Sequence, residues 1–178
     1  MQVISDLLKN KKYQELERFI DESNSDTAGK IDKIDTNHVI VNSILNTKYR
    51  EAREKKIVFV VKVNDLSTLK IKDEDIVLIL SNLLNNAIEA CEKIKSYESK
   101  AIQINCECTG GFMFLTIKNP VSKDIFIHNN TILTSKEDKK SHGFGLLSIN
   151  RVTKKYDGNL SLSCINKEFT ISIDLCLL

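Results

Sequence analysis

The spacing of apolar positions changes several times along the chain, and each change marks a predicted element. Val3, Ile4, Leu7 and Leu8 have helical spacing over 2–9, and Tyr13, Leu16, Phe19 and Ile20 form the apolar face of a second helix. The first helix has no Ser, Thr, Asp or Asn cap and its pattern starts at Met1, so it is expected to be a helix cut in the middle. The polar stretch 21–29 reads as a helix end or linker. A third helix is predicted over 37–55, striped by Val41, Ile44, Leu45 and Tyr49, and the β-branched run 57–63 reads as a strand. Asp73 is placed to cap a long helix over 73–95. Strands are predicted at 101–108 and 112–118, joined by the hairpin signal Gly110-Gly111, with Pro120 ending the second. The stretch 121–141 is polar and aperiodic, and a loop of that length in a compact domain is usually functional or disordered. A helix over 145–156 stops at Gly158, and strands at 159–165 and 169–176 flank a turn at Asn166-Lys167. Helices first, then hairpins mixed with helices, imply a two-layer α/β sandwich with helices on one face of a mixed sheet.

Composition narrows the partners. The 178 residues are 42% hydrophobic and 28% charged, as expected of a soluble globular protein of one ordinary domain and a small appendage. A net charge of +2 without a Lys/Arg block gives no reason to expect nucleic acid. No run approaches the roughly 18 apolar residues of a membrane span, so no membrane contact is expected and the chain reads as cytoplasmic. The five cysteines (Cys91, Cys106, Cys108, Cys164 and Cys176) form no C-x-x-C pair and read as small buried apolar groups, Cys106 and Cys108 on one side of a strand.

Two segments carry candidate chemistry. The run Ser81-Asn82-Leu83-Leu84-Asn85-Asn86-Ala87-Ile88-Glu89-Ala90-Cys91 lies within an apolar helix. Asparagine is a poor mid-helix residue because its side chain competes for backbone bonds, and three together cost roughly 2 kcal/mol. Asn82 and Asn86 stand one turn apart on one face, and Glu89 continues the line. Oxygen donors so arranged suit a hard cation such as Mg²⁺ that keeps waters and phosphates as its other ligands; a solvated polar stripe has the same spacing. The second segment, His142-Gly143-Phe144-Gly145-Leu146-Leu147, leads into the last helix. Glycines there let backbone approach a ligand, and a helix N-terminus offers unpaired N–H groups and a positive dipole end to phosphate. A plain loop-to-helix junction has the same pattern. With Ser148 at the third glycine position it is not a dinucleotide fingerprint, and no P-loop motif occurs. The stretch from Thr134 to Ser141 holds cationic and hydroxyl side chains able to close over phosphates, or simply to be solvated.

Together these segments resemble the GHKL superfamily, which includes gyrase, heat-shock chaperones and histidine kinases. Asn82-Leu83-Leu84-Asn85-Asn86-Ala87 is similar to the N box of sensor histidine kinases. His142-Gly143-Phe144-Gly145-Leu146, with Tyr156-Asp157-Gly158 behind it, is similar to their G2 box. The continuation Asn86-Ala87-Ile88-Glu89-Ala90-Cys91 resembles the Agr-type quorum-sensing kinases. The resemblance implies an ATP-binding catalytic domain at 37–178 with a lid at 121–141, behind a truncated dimerisation and phosphotransfer remnant at 1–34. It implies ATP and Mg²⁺ as ligands, Asn86 on the metal, and Asn82 at the metal or phosphates. Gly143, Phe144, Gly145 and Leu146 are implied at the phosphates and Lys136 in the lid. Asn82 stands where related hydrolases often place a glutamate base, and an amide cannot act as one. The usual D-x-G-x-G of the adenine site is replaced by Ile117-Lys118-Asn119-Pro120, where Asn119 can supply the acceptor oxygen. Glu89 stands where other histidine kinases commonly have lysine.

The function so implied is transfer of the γ-phosphate of Mg-ATP to a histidine upstream of and outside this chain. His38, His128 and His142 do not fit that acceptor, so the fragment is expected to bind ATP without phosphorylating itself. A response regulator is the implied partner. A homodimer, weakened here by the shortened first helix, and a membrane-anchored sensor with this cytoplasmic portion complete the expectation. The alternatives are a GHKL nucleotide-binding regulator or pseudokinase acting through protein–protein interaction, and an interaction domain without nucleotide.

Overall fold

The computed structural model describes residues 34–95, 100–128, 131–132 and 143–177, with Asn10, Lys12 and Glu15 alone ahead of them. The two helices expected over 2–30 lie outside the described residues. Helix α1 is Val39–Glu54, with His38 as its N-cap: the ring Nδ1 accepts from the Val41 N–H at 3.4 Å. Strand β1 is Val58–Val63 and helix α2 is Asp73–Glu92. Asp73 is not the cap expected of it. Lys72 holds that position without a side-chain hydrogen bond, and Asp73, Glu74 and Asp75 fill the first turn, where carboxylates complement the positive end of the helix dipole.

Strands β2 (Ala101–Thr109) and β3 (Phe112–Pro120) form the expected hairpin. Gly110 at φ 58 and Gly111 at φ 79 supply the two left-handed residues that match the twist of the strands. Pro120 lies within β3 as its last residue. The stretch expected to be irregular contains a small antiparallel pair, β4 (Ile127–His128) with β5 (Thr131–Ile132). Ile127 and Ile132 face each other and pack on the core, an alternation too short to show as a period. Helix α3 is Gly143–Lys155, so both glycines lie inside its first turn, and β6 (Asn159–Ile165) and β7 (Glu168–Cys176) close the chain. Their turn places Asn166 at φ 52 and Lys167 at φ 59.

The sheet order is β1-β2-β3-β7-β6, with β1 and β2 parallel and every other pair antiparallel. This is the mixed sheet of the expected two-layer sandwich. Met113, Leu115, Ile117 and Asn119 of β3 and Ile171, Ile173 and Leu175 of β7 are buried on one face. Ile76, Ile79, Leu83, Leu84, Ala87 and Ile88 of α2 close over that core. The opposite face carries Thr116 and Ser172 in hydrogen-bond contact at 3.1 Å, beside the stacked Phe112 and Phe114 rings. The five cysteines are free, and burial pushes the thiols of Cys91 and Cys106 up to about 12, which keeps them protonated.

Residues 34–36 belong to the folded unit. Thr36, 3% exposed, donates through both its N–H (2.8 Å) and its hydroxyl (2.7 Å) to Asn42 Oδ1. Asn46 brackets Ile34, accepting from its N–H at 2.9 Å and donating to its carbonyl at 2.8 Å.

The end of α3 differs from expectation in an informative way. Gly158 is not the left-handed residue; Asp157, at φ 47, is. The Gly158 N–H donates to the Thr153 carbonyl at 2.9 Å and the Asp157 N–H to the Lys154 carbonyl at 3.2 Å, a full Schellman closure. Glycine is required at 158 because a Cβ there would overlap the Asp174 backbone carbonyl of β7. Gly158→Ala is therefore expected to destabilise by about 3 kcal/mol or more, since backbone must move. Gly110→Ala meets nothing within 4 Å and should cost only the left-handed penalty of about 1 kcal/mol. Urea denaturation of both variants measures the difference.

Candidate functional site

Helix α2 has a half-buried edge as well as a buried face. Asp75, Leu78, Asn82 and Asn86 recur at three- and four-residue intervals along that edge, each partly exposed. Helix α3 packs beside α2, and two contacts on this edge fix its direction. At one, a Cβ built on Gly145 would lie 3.1 Å from Asn82 Oδ1, 3.7 Å from its Cγ and 3.9 Å from its Cβ. At the other, Tyr156 and Lys155 at the far end of α3 reach Asp75. The two helices therefore run antiparallel, and the first turn of α3 opens beside Asn82.

The Asn82 amide is oriented by its neighbour. Nδ2 donates to the Leu78 carbonyl at 2.7 Å. A carbonyl accepts but cannot donate, so the amide nitrogen must occupy that side and Oδ1 must face Gly145. Asn86 lies one turn further along α2, about 6 Å past Asn82. Among the described residues no hydrogen bond holds its side chain. Glu89 is exposed.

The first turns of the two helices differ in charge. Asp73, Glu74 and Asp75 meet the positive end of α2, whereas α3 has no acidic residue in its first turn. The opening peptide N–H groups of α3, from Gly143, Phe144 and Gly145, lack partners within the helix and face no carboxylate of their own turn, whereas Leu146, the fourth residue, begins the helical bonds. Leu146 packs on the core and anchors that turn, while Gly145 permits close approach. A cradle that even a methyl group would crowd, with peptide N–H groups beside two amide side chains, fits a phosphate chain with its metal ion.

Asn119 is 5% exposed and continues the helix-facing row Met113-Leu115-Ile117 of β3. Its Nδ2 donates to the Pro120 carbonyl at 3.0 Å, which leaves Oδ1 as the atom it can present to a donor. The structure thus brings Asn82 and Gly145 into contact, sets Asn86 beyond them and puts Asn119 on the same side of the sheet as α2. Lys136, His142 and the side chain of Phe144 lie outside the described residues. His38 is engaged as the α1 cap, and His128 is exposed on β4.

Sequence reasoning missed the Asp75 cluster. Lys155 Nζ lies 2.5 Å and the Tyr156 hydroxyl 2.7 Å from Asp75 Oδ2, and the hydroxyl accepts from the Lys72 N–H at 3.0 Å. Tyrosine beside the G2-like segment was visible, but its partners are some 80 residues away and no spacing rule joins them. Desolvation opposes the Asp75 charge, yet the hydrogen bonds from Lys155 and Tyr156 leave its carboxyl below the usual range. Among the described residues no group of three His, Cys, Asp or Glu could hold a metal, so a cation here would rest on amides and the ligand's own oxygens.

Residues 69–176 match the GHKL domain family. No curated protein sequence matches the chain. Solved structures share its fold. The catalytic domain of histidine kinase ThkA is 18% identical, with a TM-score of 0.60 over 77% of this chain and 94% of that one. The histidine kinase domain of the Erythrobacter litoralis EL346 blue-light activated kinase is 14% identical, with a TM-score of 0.53 over 85% and 67%. The Acinetobacter baumannii histidine kinase AdeS is 16% identical, with a TM-score of 0.52 over 78% of this chain. The chain spans 63% of the AdeS chain.

A carboxylate whose folded value is lowered stabilises above its unfolded value, near 3.9, and that contribution is lost as pH falls through the lowered folded value. Asp75→Asn should therefore be less stable than the parent by a constant margin at neutral pH, and the margin should close below about pH 4. Urea midpoints measured from pH 7 to pH 3 test this; a margin that persists in acid excludes the charge as its source.

Proposed function

The chain belongs to the GHKL domain family, and on that premise we propose that it is the ATP-binding catalytic domain of a sensor histidine kinase of the Agr-type quorum-sensing group. The observation that carries the reading is the meeting of Asn82 Oδ1 with the Gly145 turn. Asn86, with Asn82 beside it, would hold Mg²⁺; the first-turn N–H groups of α3 would hold the phosphates, and Asn119 Oδ1 would accept from the adenine amino group. Lys136 would reach the phosphates from the segment 121–141. Bound Mg²⁺ supplies charge neutralisation at the phosphate chain.

The chain's own residues define what the site does with ATP. Asn82 would offer its Oδ1 to the metal at the phosphate end without being able to deprotonate water, since an amide is not a base. The γ-phosphate is thereby kept for a histidine acceptor on a segment outside this chain. His38, whose Nδ1 caps α1 and which is followed by Val39 rather than an acidic or polar residue, is not that acceptor in this reading. The phosphoryl group then passes to a response regulator. Dimerisation through the segment ahead of residue 34, and a place on the cytoplasmic side of a membrane-anchored sensor, belong to the same reading. The neutral Asn119 favours a second reading, a nucleotide-binding regulator that performs no transfer.

Two variants test the site. Asn86→Ala should abolish the Mg²⁺-dependent part of the thermal shift given by a non-hydrolysable ATP analogue, and the shift with ADP alone should persist. Equal shifts in parent and variant would remove the metal assignment. Gly145→Ala should gain up to about 1 kcal/mol of helix propensity, offset by the 3.1 Å contact with Asn82, so folding stability should change little. Its analogue affinity should fall about tenfold, as a displaced amide costs about one charge-assisted hydrogen bond. Phosphate transfer to a supplied acceptor-histidine segment separates kinase from regulator.

A further inference from the structure

Tyr156 joins three elements at once. Its own residue ends α3. Its carbonyl accepts from the Cys176 N–H of β7 at 2.9 Å. Its hydroxyl accepts from the Lys72 N–H, at the uncapped start of α2, and donates to Asp75 in the first turn of the same helix. The next residue but one, Gly158, is pressed against the Asp174 carbonyl, so the end of α3 is fixed to the sheet on its other side. Lys155 adds a second bond to Asp75 and stands 5.4 Å over the Tyr156 ring. The charged groups around this cluster are Lys72, Glu74, Asp75 and Lys155.

Asp75 and Asn82 share one edge of α2, two turns apart, and Tyr156 and Gly145 stand at opposite ends of α3. The two helices also pack on the core between these points, where Ile149 and Val152 are buried, so losing the hydroxyl's bonds loosens the register of α3 on α2 without detaching it. From this geometry we infer that Tyr156 is a positioning residue, holding α3 against Asp75 so that the Gly145 turn stays in register with Asn82 and Asn86. The inference rests on the nucleotide reading only for its consequence at the ligand; the coupling of the two contact points is a property of the chain itself.

Tyr156→Phe removes the hydroxyl and keeps the ring. Two of the hydroxyl's neighbours, Lys72 and Lys155, are exposed and Asp75 keeps its bond to Lys155, so the variant should fold with a urea midpoint close to the parent. Hydrogen exchange of the nucleotide-free protein should then quicken about fivefold at the amides of 147–150, six to nine residues before the substitution, with the β2–β3 amides unchanged. Affinity for a fluorescent ATP analogue with Mg²⁺ should weaken by about the same factor. A merely structural role would slow or speed no amide near 147–150 selectively, and would leave the affinity alone while the protein remains folded. Asp75→Asn keeps an acceptor for the tyrosine hydroxyl and should hold both readouts near the parent values. Parent-like exchange at 147–150 in Tyr156→Phe overturns the inference. If the parent protein fails to bind the analogue, the catalytic-domain reading falls, and the exchange comparison, which needs no ligand, still decides the coupling.

Discussion

The structure depends on α2 meeting two demands with one helix. Its apolar face, from Ile76 to Cys91, covers the buried side of the sheet, and burying side chains of that size contributes on the order of 1.5–3 kcal/mol each. Its edge carries Asp75, Leu78, Asn82 and Asn86. Helical geometry ties the two together, because rotating the edge into the open would withdraw the face from the core. The amides are thus aimed by hydrophobic packing, and the orientation of Asn82 is completed by a single bond to its own helix at Leu78. A site held this way needs no dedicated scaffold of its own.

Local periodicity made most of the elements legible. The alternation in 112–118 and 169–176, the glycine pair at 110–111 and the 3.6-residue stripes of α1 and α2 all report burial on one side, which the structure realises. Where expectation and structure part, the deciding interaction is distant or is a backbone angle. Lys72 rather than Asp73 holds the cap position of α2: carboxylates in the first turn face the positive end of the dipole, and the Lys72 N–H is bonded by a tyrosine 84 residues on. Asp157 takes the left-handed position because Gly158 is needed against β7, a contact made only once the sheet has formed. Residues 34–36 read as a boundary, yet Asn42 and Asn46 hold them to α1 as a neighbouring peptide would.

The candidate site was legible for a different reason. Its asparagines and glycines run against the propensities of the helices that contain them. What spacing could not supply was their convergence. Asn82 and Gly145 are far apart in sequence, and nothing in either segment alone says that one faces the other. The antiparallel packing of α2 and α3 makes the contact, and Asn119 shares that side of the sheet only because β3 presents alternate residues to the helices.

The costs point the same way as the geometry. Three asparagines in α2 give up roughly 2 kcal/mol of helix propensity, and glycine at 145 gives up at most about 1 kcal/mol in the first turn of α3. Against a typical net stability of 5–15 kcal/mol these are large sacrifices, and they fall on the two segments that face each other. Elsewhere the helices obey local rules: acidic residues open α2, basic residues close α3, and glycine stays out of both interiors. Local rules broken together at one meeting point, with the Asn82 amide oxygen turned to Gly145 and no carboxylate in the opposing turn, are what the proposed metal-and-phosphate site would require of these two helices.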